Sequence, residues 1–321
     1  MLRLFRKPQP EKPHDWYHAA ALEDRQEYDA FGPWVYEISK ESEMPPRFRF
    51  AYAKHHGARF FLKIPVDADR RNMRPGMDLY FAVLAIDENG LSIYRLVDNR
   101  IVSDQCAWDE VAAIRNGSDL LLGTLSLLMT SGIEIELSFN NVSKRLMEDA
   151  SDFVRHRCAG PTQVPSLPAT LPNIAITDHF FHAMFLTTQK RSSMPIAVVH
   201  FDPPGQRCLD RDGRRRMTTG LMLLAAPDEL VIINRDRPTR RSFQASYTAI
   251  TTFVSLVRLN GYAFRQAATG GARPRFHELL LRLGGQDLLL SCLAVPDTVL
   301  TRLDDLGVAR LAEKAEPSIE A

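Results

Sequence analysis

The sequence predicts an α+β fold, mainly β, in which antiparallel strands lead into one closing helix in each of two units. Apolar runs of strand length alternate with turn residues, the pattern recurs in the second half of the chain, and each recurrence ends in an amphipathic helical stretch. A chain of 321 residues has room for two such cores. Lysine and arginine total 40 against 39 aspartate and glutamate. A balance that even provides no general attraction to nucleic acid or to an anionic membrane, so any such attraction has to be local.

The chain opens on Met1-Leu2-Arg3-Leu4-Phe5-Arg6-Lys7-Pro8, cationic but with no apolar core of signal-peptide length behind it. Its three apolar side chains make a weak interfacial anchor on their own. Residues 14–28 carry a short helical pattern. Residues 29–38 then gather Phe31, Trp34 and Tyr36 around a Gly32-Pro33 turn. This stretch is expected either to dock residues 1–47 as an extension against the first unit, or to present an aromatic hook to a protein partner.

The first unit is expected over residues 48–158. Residues 79–86 are continuously apolar, Asp87-Glu88-Asn89-Gly90 supply turn chemistry, and Leu91-Ser92-Ile93-Tyr94 resume a strand. Beyond Asp98-Asn99-Arg100 the strand pattern returns and reaches Trp108, Val111 and Ile114. Ile133, Ile135, Leu137 and Phe139 alternate with polar residues, as a half-buried strand does. Ser143 stands where a helix cap belongs, ahead of Leu146, Met147, Ala150, Phe153 and Val154 on one face. Residues 159–174 hold Pro161, Pro165, Pro168 and Pro172 with almost no charge, the composition of an extended spacer.

Residues 175–311 repeat the plan. Laying Leu84 on Leu223 also lays Leu91 on Leu230 and Ile93 on Ile232. The same shift brings Trp108-x-x-Val111-x-x-Ile114 onto Tyr247-x-x-Ile250-x-x-Phe253, which points to one unit used twice. Leu279, Leu281 and Leu283 precede a Gly284-Gly285 turn, and a helix after Pro296-Asp297 turns Val299, Leu300, Leu303 and Leu306 inward. Residues 312–321 read as a disordered tail.

The order strand–turn–strand, then Trp108-Asp109-Glu110-Val111-Ala112-Ala113-Ile114, then a last strand leading into a helix, resembles the pleckstrin-homology (PH) superfold, particularly bacterial PH-like and GRAM-like domains. In the second copy Tyr247-Thr248-Ala249-Ile250-Thr251-Thr252-Phe253 lacks the acid. The resemblance implies two tandem PH-like barrels, each of antiparallel strands with a C-terminal helix. The same elements also fit an unrelated barrel or sandwich closed by a helix. A fold that hosts many functions constrains function weakly.

No motif for chemistry stands out. There is no Gly-x-Ser-x-Gly elbow and no phosphate-binding loop of the Gly-x-x-x-x-Gly-Lys type. Cys106, Cys158, Cys208 and Cys292 are far apart in apolar surroundings, as buried thiols of a reducing cytoplasm are. His179 and His182 lie three apart with aromatics between them, which suits a packed helix better than a metal site lacking a third ligand. No catalytic residue, metal or cofactor is expected. The one concentrated charge is arginine: Arg214, Arg215 and Arg216 before a strand, and Arg235, Arg237, Arg240 and Arg241 in a loop after the next. Guanidinium forks hold phosphate or carboxylate, and the PH resemblance implies lipid headgroups at such loops. The leading expectation is a cytoplasmic, non-catalytic binding or scaffold protein with a protein partner. The alternative is a peripheral protein at the inner face of an anionic membrane, using the arginine loop. Nucleic acid is not expected, because no stacking aromatics interleave with the arginines.

Overall fold

Antiparallel pairing dominates the computed structural model, which describes residues 15–160, 178–192, 195–209, 215–235, 248–265, 276–293 and 297–312. The expected spacer core at 161–174 and the tail from residue 313 fall outside those residues. By its contacts the chain divides into two units, Met1–Gln105 and Cys106–Ala321. That division falls inside the stretch expected as the first domain.

Unit 1 begins with two short helices, α1 (Asp15–Ala19) and α2 (Leu22–Ala30). A five-stranded sheet follows in the order β1 (Tyr36–Glu37), β2 (Phe60–Pro65), β3 (Tyr80–Ile86), β4 (Gly90–Val97) and β5 (Arg100–Ala107). Asp87 makes the β3–β4 turn by accepting from the backbone N–H of Asn89 and Gly90. Asp98 and Asn99, at φ 46° and 61°, form the two-residue β4–β5 turn, a conformation Asp and Asn tolerate best among residues with a side chain. β3 is apolar throughout because both its faces are covered. A turn of 3-10 helix at Pro46–Ala51 and helix α3 (Tyr52–His55) bury Phe48 and Ala51 against Phe61, Val83 and Ala85 on one of them. His55 ends this helix and His56 caps it. His55 bonds the Tyr94 hydroxyl at 2.9 Å.

Unit 2 contains a seven-stranded antiparallel sheet. Its strands in chain order are β6 (Val111–Ser118), β7 (Leu122–Met129), β8 (Glu134–Asn140), β9 (Ala197–Asp202), β12 (Leu221–Ala225), β13 (Glu229–Arg235) and β14 (Ala249–Ser255). A two-stranded ribbon, β10 (Arg207–Leu209) and β11 (Arg215–Met217), is inserted between β9 and β12. A three-stranded meander follows: β15 (Gly261–Arg265), β16 (His277–Leu283) and β17 (Gln286–Cys292). The helices are α4 (Lys144–Cys158), α5 (His179–Arg191) and α6 (Asp297–Asp305). In space the large sheet runs β8-β7-β6-β14-β13-β12-β9, so β6 from before the spacer pairs with β14 from after it.

Two expectations need correction. No sheet closes on itself among the described residues; all are open. And the match of Val111 and Ile114 to Ile250 and Phe253 fails. Trp108 sits in a 3-10 turn before β6, whereas Ile250 and Phe253 lie on β14, which pairs with β13 as β5 follows β4. Ile114 and Phe253, aligned as equivalents by sequence, are in fact cross-strand neighbours. Further upstream, Leu84 pairs with Ile93, and Leu223 pairs with Ile232. The chain order four strands, 3-10 turn, three strands, helix occurs from β2 to α4. It occurs again from β9 to α6 if the β10–β11 ribbon is set aside.

The sheet of unit 2 is also covered on both faces. Leu221, Leu223, Leu230, Ile232 and Val254 pack toward β15–β17 and α6, while Met222, Leu224, Val231, Ile233 and Phe253 pack toward Phe181 and Phe185 of α5. This is why β12 reads Leu-Met-Leu-Leu-Ala without alternation. α4 buries Met147, Ala150 and Val154. Ser143 precedes α4 without a capping hydrogen bond; Asn140 caps the preceding 3-10 turn through the N–H of Val142. Among the described residues no helix is long and apolar enough to cross a membrane.

Candidate functional site

The hairpin joining β6 to β7 carries three consecutive leucines into solvent. Leu120 is 65% exposed, Leu121 76% and Leu122 48%, and Val142, just before α4, is 74% exposed. Single exposed apolar residues are ordinary, but four in two adjoining turns form a patch. The turn beneath is held firmly. Asp119 accepts from the backbone N–H of Leu121, and Asn141 donates its backbone N–H to the Leu121 carbonyl at 2.8 Å and its side-chain amide to the Asp119 carbonyl at 2.6 Å. Asn141 also exchanges hydrogen bonds with Ser118. Gly123 lets the Phe139 ring lie against the backbone at the base of the tip, where a Cβ would collide with it. The backbone groups of Asp119 and Leu121 thus find internal partners, and the side chains the tip shows are apolar.

A cleft of about 80 Å³ starts beside this tip. Its floor is the β6–β14 seam at Asn116, Ser118 and Thr251, and its walls are α4 and α5. Arg191 of α5 reaches Glu148 of α4 at 2.6 Å and Asp152 at 3.5 Å, and Lys144 lies 3.8 Å from Glu148. The walls are therefore pinned together by charge. Deeper down, Arg155 bonds both Glu229 on β13 and Asp152, and its guanidinium stacks 3.6 Å over the Phe253 ring.

The side chains singled out from sequence are dispersed. Arg235 ends β13 with its guanidinium 4.3 Å over the Phe180 ring. Arg215 is exposed on β11, opposite Leu209, and Arg216 pairs with Cys208 in the same ribbon. Arg214, Arg237, Arg240 and Arg241 lie outside the described residues, as does Tyr247. Of the aromatic trio, Phe31 is core, 2% exposed beside Met73, Leu79 and Tyr80. Tyr36 is half-buried and donates its hydroxyl to the Ala30 carbonyl. Trp34 alone of the three is exposed, its ring lying across Gly32. Phe31 and Tyr36 thus pack within unit 1, while Trp34 stands in solvent. His179 and His182 are exposed on α5, whose buried face is Phe181, Phe185 and Thr188.

In the sequence the leucine tip merges into the apolar run of β7 that follows it. The signal that marks it is the missing alternation at Asp119-Leu120-Leu121-Leu122, directly after a polar turn. No protein-family model matches this chain, and no curated protein matches its sequence.

Proposed function

We propose that the protein is a non-catalytic binding protein of tandem PH-like architecture that docks another protein on the Leu120–Leu122 tip and the adjoining α4–α5 cleft. The observation that carries this reading is the tip itself: an apolar patch on a hydrogen-bonded, pre-organised turn. Such a patch loses little conformational entropy on binding and gains by leaving water. The recurrence of four strands, turn, three strands and helix supports the PH-like part, as do the equivalent Leu84–Ile93 and Leu223–Ile232 pairs.

Replacing Leu120 and Leu121 together by aspartate tests it. Each leucine contributes about 1–2 kcal/mol when its exposed part is buried, so the double variant should bind its partner roughly 100-fold more weakly. Melting should be nearly unchanged, because both side chains are solvent-exposed. A photo-crosslinker placed at Leu121 in the native cell should capture a partner protein that the double variant fails to retain in pull-down. Undiminished retention of every captured protein overturns the proposal.

Exposed Lys144 and Arg145 beside the tip favour a second reading, insertion of the leucines into an anionic membrane with cations at the headgroups. Flotation with phosphatidylserine vesicles at low salt separates the two. Wild-type flotation lost in the double variant supports the membrane, and no flotation leaves the protein partner.

A further inference from the structure

Far from the tip within unit 2, three potential ligand atoms converge in the core. His200 and Asp202 stand on β9 and Cys292 ends β17; all three residues are buried, and one donor atom from each lies within 4.8 Å of the other two. Nε2 of His200 is 3.0 Å from Oδ1 of Asp202, yet the arrangement forms no hydrogen bond, and no other partner reaches that nitrogen among the described residues. A buried imidazole nitrogen left in this state costs free energy unless something else satisfies it.

The backbone is arranged to bring these side chains inward. The β9–β12 register shifts between Leu223 and Leu224, so β9 carries a bulge around Val199. Past the bulge, His200 and Asp202 sit opposite Leu223 and Leu221, on the face that packs toward β15–β17 and α6. Bulges re-aim side chains in this way beside functional sites. Asp202 is oriented by its second oxygen, which accepts the backbone N–H of Leu293 at 2.8 Å. That leaves Oδ1 turned toward His200 with its outer lone pair unclaimed by that bond, as metal-ligating carboxylates are held by an outer hydrogen bond. His277 faces Cys292 directly across the β16–β17 ladder, its ring stacked on Phe264.

We propose that His200, Asp202 and Cys292 bind one divalent transition-metal ion, zinc by the chemistry of the donors. One imidazole, one carboxylate and one thiolate suit a tetrahedral borderline-soft cation, with a water at the fourth corner. The ion ties the edge strand of the large sheet to the last strand of the small meander, a structural role independent of the leucine tip. Binding exchanges the thiol proton of Cys292 for the metal, and that proton is released to solvent.

The test uses the full chain, stripped of metal by chelator and titrated with cobalt(II). One equivalent should bind, with a thiolate-to-cobalt charge-transfer band, and zinc should bleach that band. Zinc should also raise the melting temperature of the stripped protein by about 5 °C or more, as a ligand of the native state does. Cys292→Ser should lose the band and the zinc-dependent rise. A wild-type titration without a charge-transfer band overturns the proposal whatever the variants do, and so does a band that persists in Cys292→Ser. Cobalt bound without that band marks surface histidines only and has the same force.

Discussion

Glu27 of α2 lines a cavity of about 200 Å³ in unit 1, together with Asp24, Asp78 and Tyr80. Burial, more than its acidic neighbours, pushes its carboxyl up to about 7, while Lys63 pulls in the opposite direction. Lys63 is itself buried, donates to the Glu43 carbonyl at 2.7 Å, and lies 4.5 Å over the Tyr80 ring. Burial lowers its pKa, partly offset by Glu27 and Glu43. Because the folded-state value of Glu27 is raised, its contribution is fully present below the unfolded value and is lost as pH rises through about 7. Denaturant midpoints should therefore increase as pH falls from 8 to 5.5. Glu27→Gln should remove that part of the slope and stabilise the protein at pH 8. A midpoint rising with the same slope in the variant rejects this account. A single glycine governs the aromatic segment in the same local way. A Cβ at Gly32 would approach the Trp34 ring to 2.6 Å, so Gly32→Ala should displace the indole and shift its fluorescence with little loss of stability.

At the scale of elements, α4 is fixed to the sheet by Arg155, whose side chain is 10% exposed and whose partner Glu229 is 11% exposed. Truncating one member of a buried ion pair strands the other, so Arg155→Ala should cost about 3–5 kcal/mol in chemical unfolding. Arg155→Ala combined with Glu229→Gln should recover much of that loss. The hairpins β3–β4 and β12–β13 were legible because strand length, turn residues and cross-strand pairs agree locally. The correspondence of Val111 and Ile114 was not, because an aromatic followed by two aliphatics at three-residue spacing fits many β segments and carries no information about loop length. The connection after β13 is longer than the two-residue turn after β4, and a fixed shift then lands on the wrong strand. Composition located the arginines but not their neighbours, since Phe180, which meets Arg235, is on a helix remote in sequence. His200, Asp202 and Cys292 were invisible for a related reason. Their convergence depends on a bulge and on the approach of two strands that are not paired with each other.

For the molecule as a whole, the pairing of β6 with β14 makes the residues before and after the spacer parts of one sheet in unit 2. Fragments 1–160 and 175–321 should not behave as separate domains: each alone should show broad, concentration-dependent spectra, whereas co-expression should yield a soluble complex. Two independently folded, non-associating fragments would contradict the shared sheet. Cleavage of full-length protein at a protease site engineered within residues 161–174 should leave the pieces co-eluting.

The shared strand also sets a timetable for synthesis. β6 is complete at Ser118, but its partner β14 begins only at Ala249, so at ribosomal speeds the nascent chain waits on the order of ten seconds with that ladder open. During the wait, Ile114 and its neighbours present unsatisfied amides along an apolar margin, the kind of surface that recruits other nascent chains. Expression yield should accordingly depend on translation rate and on chaperone supply more than the stability of the finished sheet would imply.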